Sequence, residues 1–455
     1  MPDDDRRSGR PATVLWFRRD LRLSDHPALL AALETGHDVL PVFVRDPRLV
    51  AHGGARVRRL EASLAALARD TGGALVVRTG DPARVVPELA REVGAGEVHI
   101  SRETTPYGRS RDQRVKKALG ADGARLVETG SPYAVGPGRL LTATGHTPFR
   151  VFTPFSRAWH DHGRSGPGPR PDAVPWRRGI AGDPVGAPEP GAGEAAALAR
   201  WAAFVGHHLD DYAKQRNRPD LDTTSRMSAH LKYGEIHPRT MLADLDEHAD
   251  RSGAERYTTE LCWREFYADV LYHCPHSAWQ DLTPALRGME YDEGPEVDEL
   301  VEAWRRGRTG FPLVDAGMRQ LLAESWMHNR VRMVTASFLV KDLHVWWPVG
   351  ARHFLDHLVD GDLASNNHGW QWVAGTGTDP SPYFRVFNPV SQGLRFDPDG
   401  AYVRHWVPEL AHLEGAAAHE PWRHPDGLAH GYPERIVDHA AERRRALYRY
   451  ERARA

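Results

Sequence analysis

Residues 326–372 read WMHNRVRMVTASFLVKDLHVWWPVGARHFLDHLVDGDLASNNHGWQW, and their first part has the apolar spacing of a buried helix. Apolar residues recur there every three or four positions, at Val331, Val334, Phe338, Leu339 and Leu343,. The same surface carries four polar residues, Asn329, Arg330, Arg332 and Lys341. Because an unpaired polar group is costly in a core, this pattern predicts a buried helix that holds several fixed polar groups.

The second part of this stretch, DGDLASNNHGWQW at residues 360–372, has the composition of a binding site. It concentrates carboxylates, two adjacent carboxamides and two tryptophans in one short segment. Gly361 and Gly369 allow the backbone to turn or to approach a ligand closely. The segment is therefore predicted to bind a ligand.

Upstream, the first third of the chain alternates short apolar runs with segments of helical period. The runs predict strands at Val14–Phe17, Val39–Val44, Ala74–Val77, Glu97–Ile100 and Arg125–Val127,. The segments between them predict helices at Ala28–Leu33, Arg58–Leu67, Arg84–Val93 and Arg109–Leu119,. Repeated strand then helix predicts a doubly wound parallel α/β sheet over residues 12–130, although this fold alone does not identify a function.

No GxGxxG follows the first strand, and GxxxxGK[ST] is absent from the sequence, so the usual dinucleotide and phosphate-loop sites are not indicated,. Arg18, Arg19 and Asp20 follow that strand instead. They either line a ligand crevice at its carboxyl end or form a solvated charged loop.

A long connection and a helical half follow. Gly and Pro dominate residues 162–193, which indicates a linker,. Helical periods then recur at Glu194–Asp210, Thr224–Tyr233, His237–Glu247, Tyr257–His273, Val297–Arg306, Pro312–Ser325, Arg330–Leu343 and Ala351–Val359,. The predicted organisation is an α/β domain at 12–135, a linker at 136–195 and an all-α domain at 196–455.

The composition of the 455 residues is that of a soluble globular protein, with 41% hydrophobic and 26% charged residues,. Neither a membrane-spanning apolar run nor a secretory leader is found in the sequence, so we expect a cytoplasmic protein without membrane contact,. Only two cysteines, Cys262 and Cys274, are present, and no metal site is expected,. Since the net charge is only -2, nucleic acid would have to bind to a local basic face,.

Two further motifs allow alternative interpretations. TTSRMS, at residues 223–228, is either a helix N-cap or a phosphate site built from hydroxyls and backbone N–H groups,. In ELCWREFY, at residues 260–267, helical spacing places Glu260, Arg264 and Tyr267 on one face beside Trp263,. The alternative there is a surface ion pair between Glu260 and Arg264, worth a few tenths of a kcal/mol.

Seven motifs in order, WFRRDLRLSD, TSRMS, ELCWREFY, GFPLVDAGMRQL, WMHNRVRM, ASFLVKDL and DGDLASNNHGWQW, resemble the photolyase and cryptochrome family. The similarity runs from about Val14 to Leu410 and is greatest to the bacterial class I cyclobutane pyrimidine dimer photolyases. It implies an α/β domain, a long linker and a helical FAD-binding domain. The implied activity is light-driven repair by electron transfer from excited reduced FAD to a flipped-out pyrimidine dimer in ultraviolet-damaged DNA.

The resemblance also implies roles for individual residues. FAD contacts are expected at Tyr212, Thr224, Ser225, Arg226, Met227, Ser228, Arg332, Asp360, Gly361, Asp362 and Asn366. The catalytic and lesion positions are Glu260, Trp263, Asn329, Met333, Asn366 and Trp372. DNA is expected to contact Glu260, Trp263, Arg264, Tyr267, Asn329, Arg330 and Gln392.

The family's electron-transfer chain of three tryptophans maps onto Trp370, Trp347 and Tyr291, so a tyrosine stands at the outermost position. Trp346 and Trp304 are the alternatives at that position, or else ordinary core aromatics. Tyr257 and His368 also depart from the family pattern, where a tryptophan and a glycine are usual.

A light-harvesting antenna is implied for the α/β domain. Arg19, Asp20, Glu103 and Lys232 resemble the positions that hold 8-hydroxy-5-deazaflavin, while Thr105 departs from an acidic position. The alternative antenna is 5,10-methenyltetrahydrofolate. The competing functions are a blue-light-sensing cryptochrome and a (6-4) photolyase, and a monomer is expected.

Overall fold

The computed structural model describes residues 11–51, 53–286, 288–378 and 385–454. The chain divides into two compact units. Unit 1 comprises the chain up to Leu141 together with Ala158–Leu209 and Ser225–Tyr272. Unit 2 comprises Thr142–Arg157, Asp210–Thr224 and the chain from His273 onward. Among the described residues, no helix combines the length and apolar content needed to cross a membrane.

Unit 1 is built around a five-stranded parallel sheet with the strand order β3-β2-β1-β4-β5. The strands are β1 (Ala12–Phe17), β2 (Asp38–Arg45), β3 (Val76–Thr79), β4 (Glu97–Ile100) and β5 (Arg125–Glu128). Every residue of the central strand β1 is buried, as expected for a parallel sheet covered on both faces,. The predicted doubly wound α/β fold is confirmed, and the predicted β3 begins two residues too early.

Proline and a capping side chain begin several helices of unit 1. The helices between strands are α1 (Pro27–Leu33), α2 (Pro47–Val50), α3 (Gly54–Asp70), α4 (Pro82–Glu92) and α5 (Pro106–Ala121). Asp46, Asp81 and Thr105 cap α2, α4 and α5, and a proline follows each cap. Proline suits this position because its missing N–H would have no partner within the helix.

The predicted linker differs from the structure in two respects. It contains helix α6 (Phe152–His162), which the Gly- and Pro-rich composition did not predict. Its later part also belongs to unit 1, where Trp176 forms an isolated parallel bridge with Val39 and the Asp183 N–H donates to the Val77 carbonyl at 2.6 Å. Composition alone does not reveal such docking, because the bonds use only the backbone.

The remaining helices form most of the rest of both units. Unit 1 also contains α7 (Glu194–His207), α9 (Ser228–Tyr233), α10 (Pro238–Glu247) and most of α11 (Ala254–His273). Unit 2 contains α8 (Tyr212–Gln215), α12 (Pro295–Arg305), α13 (Pro312–Glu324), α14 (Asn329–Lys341), α15 (Trp347–His357), α16 (Leu363–Ala374), α17 (Pro389–Phe396), α18 (Ala401–Trp406) and α19 (His439–Arg454).

The core of unit 2 surrounds α14, as the apolar spacing predicted. Its five apolar positions, Val331, Val334, Phe338, Leu339 and Leu343, are all buried in one cluster. Among the polar residues of the same helix, Lys341 is buried, Arg330 and Arg332 are half-buried, and Asn329 is exposed. The expectation of a buried Asn329 is therefore wrong, because this residue lies in the first turn of the helix, where its side chain is exposed.

One other expectation about local structure is wrong, and one segment without a predicted conformation is now defined. The helix predicted over Thr224–Tyr233 begins only at Ser228, because Arg226 adopts a left-handed backbone with a φ of 52°. The segment at 360–372, for which only a binding role was predicted, is mostly helix α16, and Gly369 lies inside that helix. Its polar residues are spaced to divide between two faces of a helix.

Lys341 makes a pH-dependent contribution to stability that can be measured. Complete burial lowers the pKa of this amine to about 7, although Asp342 opposes the shift. The folded protein then binds fewer protons than the unfolded chain between pH 7 and the usual lysine pKa of about 10.4, so its stability relative to a neutral variant rises across that window. We expect the Tm difference between wild type and Lys341→Met to move in favour of wild type from pH 7 to pH 10.

Lys116→Met is the control, because Lys116 is an exposed residue of α5 whose amine stays in contact with water. A wild-type minus Lys341→Met difference in Tm that stays constant over the same pH range would contradict the assignment.

Candidate functional site

Helix α16 presents an open stripe in unit 2. Asn366, Gly369 and Trp372 follow one another at three-residue spacing and are all half-buried. A Cβ atom added at Gly369 would meet nothing within 4 Å, so there is free space between the two flanking side chains. Both hydrogen bonds that Asn366 forms with other described residues use its amide nitrogen, which donates to the Ala351 carbonyl at 3.0 Å and to Asn367 Oδ1 at 2.8 Å. Its amide oxygen is left to accept a hydrogen bond from a ligand.

The opposite face of α16 is polar, buried and fully bonded. His368 Nε2 lies 3.0 Å from Ser277 Oγ, and the Gln371 amide nitrogen donates to the Ser277 carbonyl at 2.7 Å. The Gln371 amide oxygen accepts from the Leu282 N–H at 2.9 Å. Burial lowers the pKa of His368 to about 4, so the ring is neutral at physiological pH. This face therefore anchors the helix, and His368 is structural.

An ion pair lies just before α16. Arg332 on α14 donates from both terminal nitrogens to the Asp360 carboxylate at 2.9 and 3.2 Å, and its Nε donates to the Met327 carbonyl at 2.7 Å. Asp360 is buried. Asp362 then caps the helix by accepting from the Ser365 N–H at 3.0 Å. The pair and the cap hold the backbone between them, including Gly361, in one conformation.

The segment at 223–228 is a turn ahead of α9 and does not cap that helix. Met227 occupies the N-cap position, and no side chain bonds to the helix end, so the N-cap interpretation is wrong. Ser225 Oγ lies 2.8 Å from the Tyr257 hydroxyl. The buried hydroxyl oxygens of Thr223 and Thr224 have no hydrogen-bond partner within the described ranges. Two such groups side by side suit an anionic ligand.

The other predicted cofactor positions flank this turn. Tyr212 is the half-buried first residue of α8 in unit 2. Ser228 is the exposed first residue of α9 in unit 1.

The start of α14 belongs to a cluster of positive charge in unit 2. Arg330 donates to Asn217 Oδ1 at 2.8 and 3.2 Å and lies 4.6 Å from the centre of the Phe396 ring. Burial and the neighbouring Arg216 and Arg395 lower the pKa of Arg330 to about 10. The three guanidinium groups repel one another, which costs free energy. An anionic ligand bound beside them would reduce that repulsion.

Three further predicted positions lie near the α14 and α17 surfaces of unit 2. Met333 is half-buried one helical turn after the exposed Asn329, so the two share a face,. Gln392 on α17 is half-buried, and its amide oxygen has no hydrogen-bond partner in the described part of the chain.

Helix α11 carries the predicted residues of unit 1. Trp263 is half-buried and contacts the ring of Tyr267, with ring centres 5.4 Å apart. Glu260 pairs with Arg256 at 2.8 Å, so the suggested Glu260–Arg264 pair is wrong. Arg264 instead donates to the carbonyls of residues 132 and 231 at 3.0 and 3.3 Å, which gives it a structural role in the unit.

Sequence reasoning missed two buried carboxylates on α11. Glu265 accepts hydrogen bonds from the backbone N–H groups of Ala134, Val135 and Gly136, and Asp269 accepts from that of Gly138 at 2.7 Å. Burial raises the pKa of Asp269 to about 7. A signal was available, since two acidic residues at i, i+4 spacing interrupt an otherwise apolar helix face.

The predicted electron-transfer residues lie in unit 2. Trp370 on α16 and Trp347 on α15 are buried, and Tyr291 is half-buried before α12. Trp304, one of the two alternatives, is also buried, whereas Trp346 is 39% exposed.

The carboxyl ends of β1 and β4 meet where the strand order of unit 1 reverses. Asp20 is buried there and accepts from Ser101 Oγ at 2.6 Å and from the Arg18 N–H at 2.7 Å. Burial opposes its ionisation, but His26, whose Nε2 lies 3.3 Å away, and Arg18 together outweigh that effect and hold the pKa of Asp20 well below its usual range. Arg19 lies 3.7 Å from Glu103.

The cavity at this reversal point measures about 10 Å³, room for about one water molecule,. Both oxygens of the buried Asp20 carboxylate accept hydrogen bonds from the protein itself. The solvated-loop interpretation of residues 18–20 is therefore wrong. Lys232 lies on α9 of the same unit.

A larger cavity of about 410 Å³ opens in unit 2 and contains none of the predicted site residues. Its lining is mainly charged: Glu302, Arg305, Arg306, Leu322, Val349, Arg352, His353, Asp356 and His357. No group of three or more His, Cys, Asp or Glu side chains in the described ranges could hold a metal ion.

Comparison with known proteins relates both halves of the chain to one family. Residues 13–175 match a family model described as DNA photolyase. Residues 257–452 match a model described as the FAD binding domain of DNA photolyase. The first match contains the parallel sheet, and the second contains α12 to α16 and the Arg332–Asp360 pair.

Full-length relatives support the same conclusion. The chain is 42% identical to a deoxyribodipyrimidine photo-lyase of Streptomyces griseus, over 97% of this chain and 98% of that relative. It is 36% identical to the enzyme of that name from Escherichia coli, over 97% and 98% of the two chains. A class III photolyase structure from Agrobacterium tumefaciens is 37% identical, with a TM-score of 0.90 over 97% and 98% of the chains.

A cryptochrome structure from Synechocystis is also similar, with 28% identity and a TM-score of 0.87 over 96% of this chain and 98% of that one. These comparisons do not separate class I from class III. All of these relatives belong to one family, and its sheet domain and helical FAD-binding domain agree with the two parts of the fold described above. The chain belongs to the DNA photolyase family.

Proposed function

We propose that this protein is a deoxyribodipyrimidine photo-lyase that repairs cyclobutane pyrimidine dimers in DNA under blue light. The observation that carries the proposal is the open stripe of α16. The available amide oxygen of Asn366 lies on one side of Gly369 and Trp372 lies on the other, and the space beside Gly369 is unobstructed. It occurs in a chain 42% identical over nearly its full length to a protein of that name.

The residues of unit 2 fit FAD. The orphaned hydroxyls of Thr223 and Thr224 suit its phosphates, and the positioned oxygen of Asn366 can accept a hydrogen bond from a ring N–H,. The Arg332–Asp360 pair supplies a fixed charge next to α16. Tyr212, Gly361, Asp362 and residues 225–228 are further proposed contacts, by resemblance to the family.

Bound, reduced FAD excited by blue light would supply the electron that splits the dimer and would recover it afterwards. The side chains contribute recognition and charge stabilisation. Stacking on an aromatic ring is worth about 1–3 kcal/mol per base, so Trp263 and Trp372 can each offset part of the cost of flipping the dimer. Glu260, in its protonated form or sharing a proton with the dimer, and Asn329 are proposed to donate hydrogen bonds to the pyrimidine carbonyls as negative charge develops on them. Met333 packs beside the lesion.

The other proposed DNA-binding side chains would contact the phosphates of the DNA backbone. The cluster of Arg216, Arg330 and Arg395 gives unit 2 a local basic face despite the chain's net charge of -2,. The free amide oxygen of Gln392 and the aromatic Tyr267 complete the proposed DNA-binding set. Arg264 is proposed to act there only through its support of unit 1, because the protein backbone occupies its guanidinium.

Two alternative functions share the fold. A light-sensing cryptochrome is favoured by the similarity to the Synechocystis structure. Against it, Glu260, Trp263, Met333 and Trp372 all retain the identities of the family's lesion positions. A (6-4) photolyase would need histidine at the lesion, but His328 is buried and accepts from the Arg330 N–H at 3.2 Å.

An antenna is proposed for unit 1, with 8-hydroxy-5-deazaflavin preferred and 5,10-methenyltetrahydrofolate as the alternative. Arg19, Glu103 and Lys232 are the proposed contacts. Asp20 would act by fixing the backbone that carries Arg19, because its carboxylate accepts from the Arg18 N–H. The class I assignment, the monomeric state and the cytoplasmic location stay predictions from the sequence.

The test of the proposed function is quantification of intact dimers in ultraviolet-irradiated oligothymidylate after incubation with the reduced protein. We expect loss of dimer under blue light and none in the dark. A protein that contains FAD but removes no dimer in the light would favour the cryptochrome alternative.

We expect Asp360→Asn to lower the FAD content of the purified protein. The substitution removes the carboxylate that Arg332 binds through two hydrogen bonds, and leaving such a group unpaired costs about 1–3 kcal/mol,. The ratio of flavin to protein absorbance after gel filtration measures the loss. The control is Glu302→Gln, which removes the partner of an exposed arginine. Equal flavin content in the two variants would refute the role of the pair.

Glu260→Ala is expected to lower the repair yield per absorbed photon more than it lowers DNA affinity. The reason is that a hydrogen-bond donor aimed at developing charge stabilises the reacting state more than the bound state. Repair yield and dissociation constant are measured on the same oligonucleotide. Glu255→Ala, an exposed position on the same helix, is the control. Equal losses of yield and affinity would count against the assignment.

A further inference from the structure

The start of α15 carries two adjacent tryptophans with opposite environments. Trp347 is completely buried, whereas Trp346 is 39% exposed. Their ring centres lie 6.4 Å apart, with an interplanar angle of 67°. Van der Waals contact between aromatic rings favours electron transfer because tunnelling falls off steeply with distance. The pair therefore links the interior of unit 2 to its surface.

The helix that carries this pair packs against α16. Gly350 lies one turn after Trp347 on the same face of α15,. A Cβ atom at Gly350 would lie 2.2 Å from Cη2 of Trp370, so that indole packs directly against the glycine backbone. The absence of a side chain at Gly350 thus allows the face that carries Trp347 to approach Trp370 closely. Of the three tryptophans, Trp370 and Trp347 are buried and Trp346 is exposed.

Trp347 is placed to carry a transient positive charge. Its Nε1 donates to Asp281 Oδ1 at 2.7 Å, and Asp281 is buried. A carboxylate at this distance stabilises a cation on the indole ring in a medium of low dielectric constant. Trp347 is therefore a suitable intermediate position, and an electron must reach it from a neighbour.

Tyr291 is poorly suited to be that neighbour. Oxidation of a tyrosine requires loss of its phenolic proton, yet the Tyr291 hydroxyl is buried and has no hydrogen-bond partner among the described residues. Burial and the nearby Asp281 raise the pKa of this hydroxyl. A buried phenol without a proton acceptor is held in its reduced, protonated form.

Trp304 is no better placed. It contacts Trp370, with ring centres 6.2 Å apart, but it is completely buried. Its Nε1 donates to the Thr335 carbonyl at 3.0 Å, and a carbonyl cannot take up the indole proton. A hole that reached Trp304 would return to Trp370.

We infer that Trp346 is the terminal electron donor of this protein, in the place that the family alignment gives to Tyr291. The inference rests on the proposed function, since it concerns how the bound flavin is kept reduced. The one-electron oxidant would be light-excited oxidised FAD, when bound: Trp370 gives up one electron to it and takes one from Trp347, which in turn takes one from Trp346. The exposed indole of Trp346 then releases its Nε1 proton to water. A soluble thiol then gives that neutral radical one electron and one proton, and two thiyl radicals combine to a disulfide.

The experiment is transient absorption of the FAD-loaded protein after a blue flash, without DNA, in wild type and in Trp346→Phe, Tyr291→Phe and Trp304→Phe. In wild type we expect a long-lived neutral tryptophanyl radical whose decay accelerates with added thiol. Trp346→Phe should lower its yield by about tenfold or more, because the hole then stays on the completely buried Trp347, out of reach of water and of the thiol, and recombines there. Tyr291→Phe and Trp304→Phe should leave the yield and the thiol dependence close to those of wild type.

A tyrosyl spectrum that disappears in Tyr291→Phe, or a yield unchanged in Trp346→Phe, would overturn the inference. Loss of the radical in Trp304→Phe alone would assign the role to that residue instead. Circular dichroism and flavin content check that each variant folds and binds FAD. Chemically reduced wild type, assayed for dimer loss in the light, tests the proposed function separately, because that assay does not depend on the terminal donor.

Discussion

The candidate site depends on the two-sided bonding of α16. One face of this helix is buried and polar, and its His368 and Gln371 bind the segment around Ser277 through side chain and backbone. Each of those bonds would be costly to leave unmade in a core, so together they fix the rotation of the helix about its axis. The opposite face, with Asn366, Gly369 and Trp372, is open as a direct consequence.

The rotation of α16 about its axis must be fixed because the proposed function depends on the position of one atom, the amide oxygen of Asn366. The Asn366 oxygen is available only because the amide nitrogen of the same side chain is held by the Ala351 carbonyl and by Asn367. The Arg332–Asp360 pair then ties the start of the helix to α14. A residue that departs from the family pattern, His368, contributes to this anchoring. Its role is positional, and the open stripe is unaffected by it.

Helix α11 in unit 1 also has one face that serves the structure and another that is proposed to bind a ligand. Glu265 and Asp269 face inward and hold the backbone at residues 134–138, while Glu260 and Trp263 lie elsewhere on the helix. One helix thus combines a structural face with a face proposed to contact DNA. The aromatic chain through Trp370, Trp347 and Trp346 similarly uses core residues at one end and an exposed residue at the other.

The sequence by itself was sufficient for the parallel sheet, the core face of α14 and the family, because each depends on a repeated pattern or on several ordered motifs. It was not sufficient for the conformation of residues 223–228, for α16 as a helix, or for the choice among Tyr291, Trp304 and Trp346. Those depend on which groups are buried with a partner and which are left without one. Burial and hydrogen-bond partners come from residues distant in the chain, and only the tertiary structure brings them together.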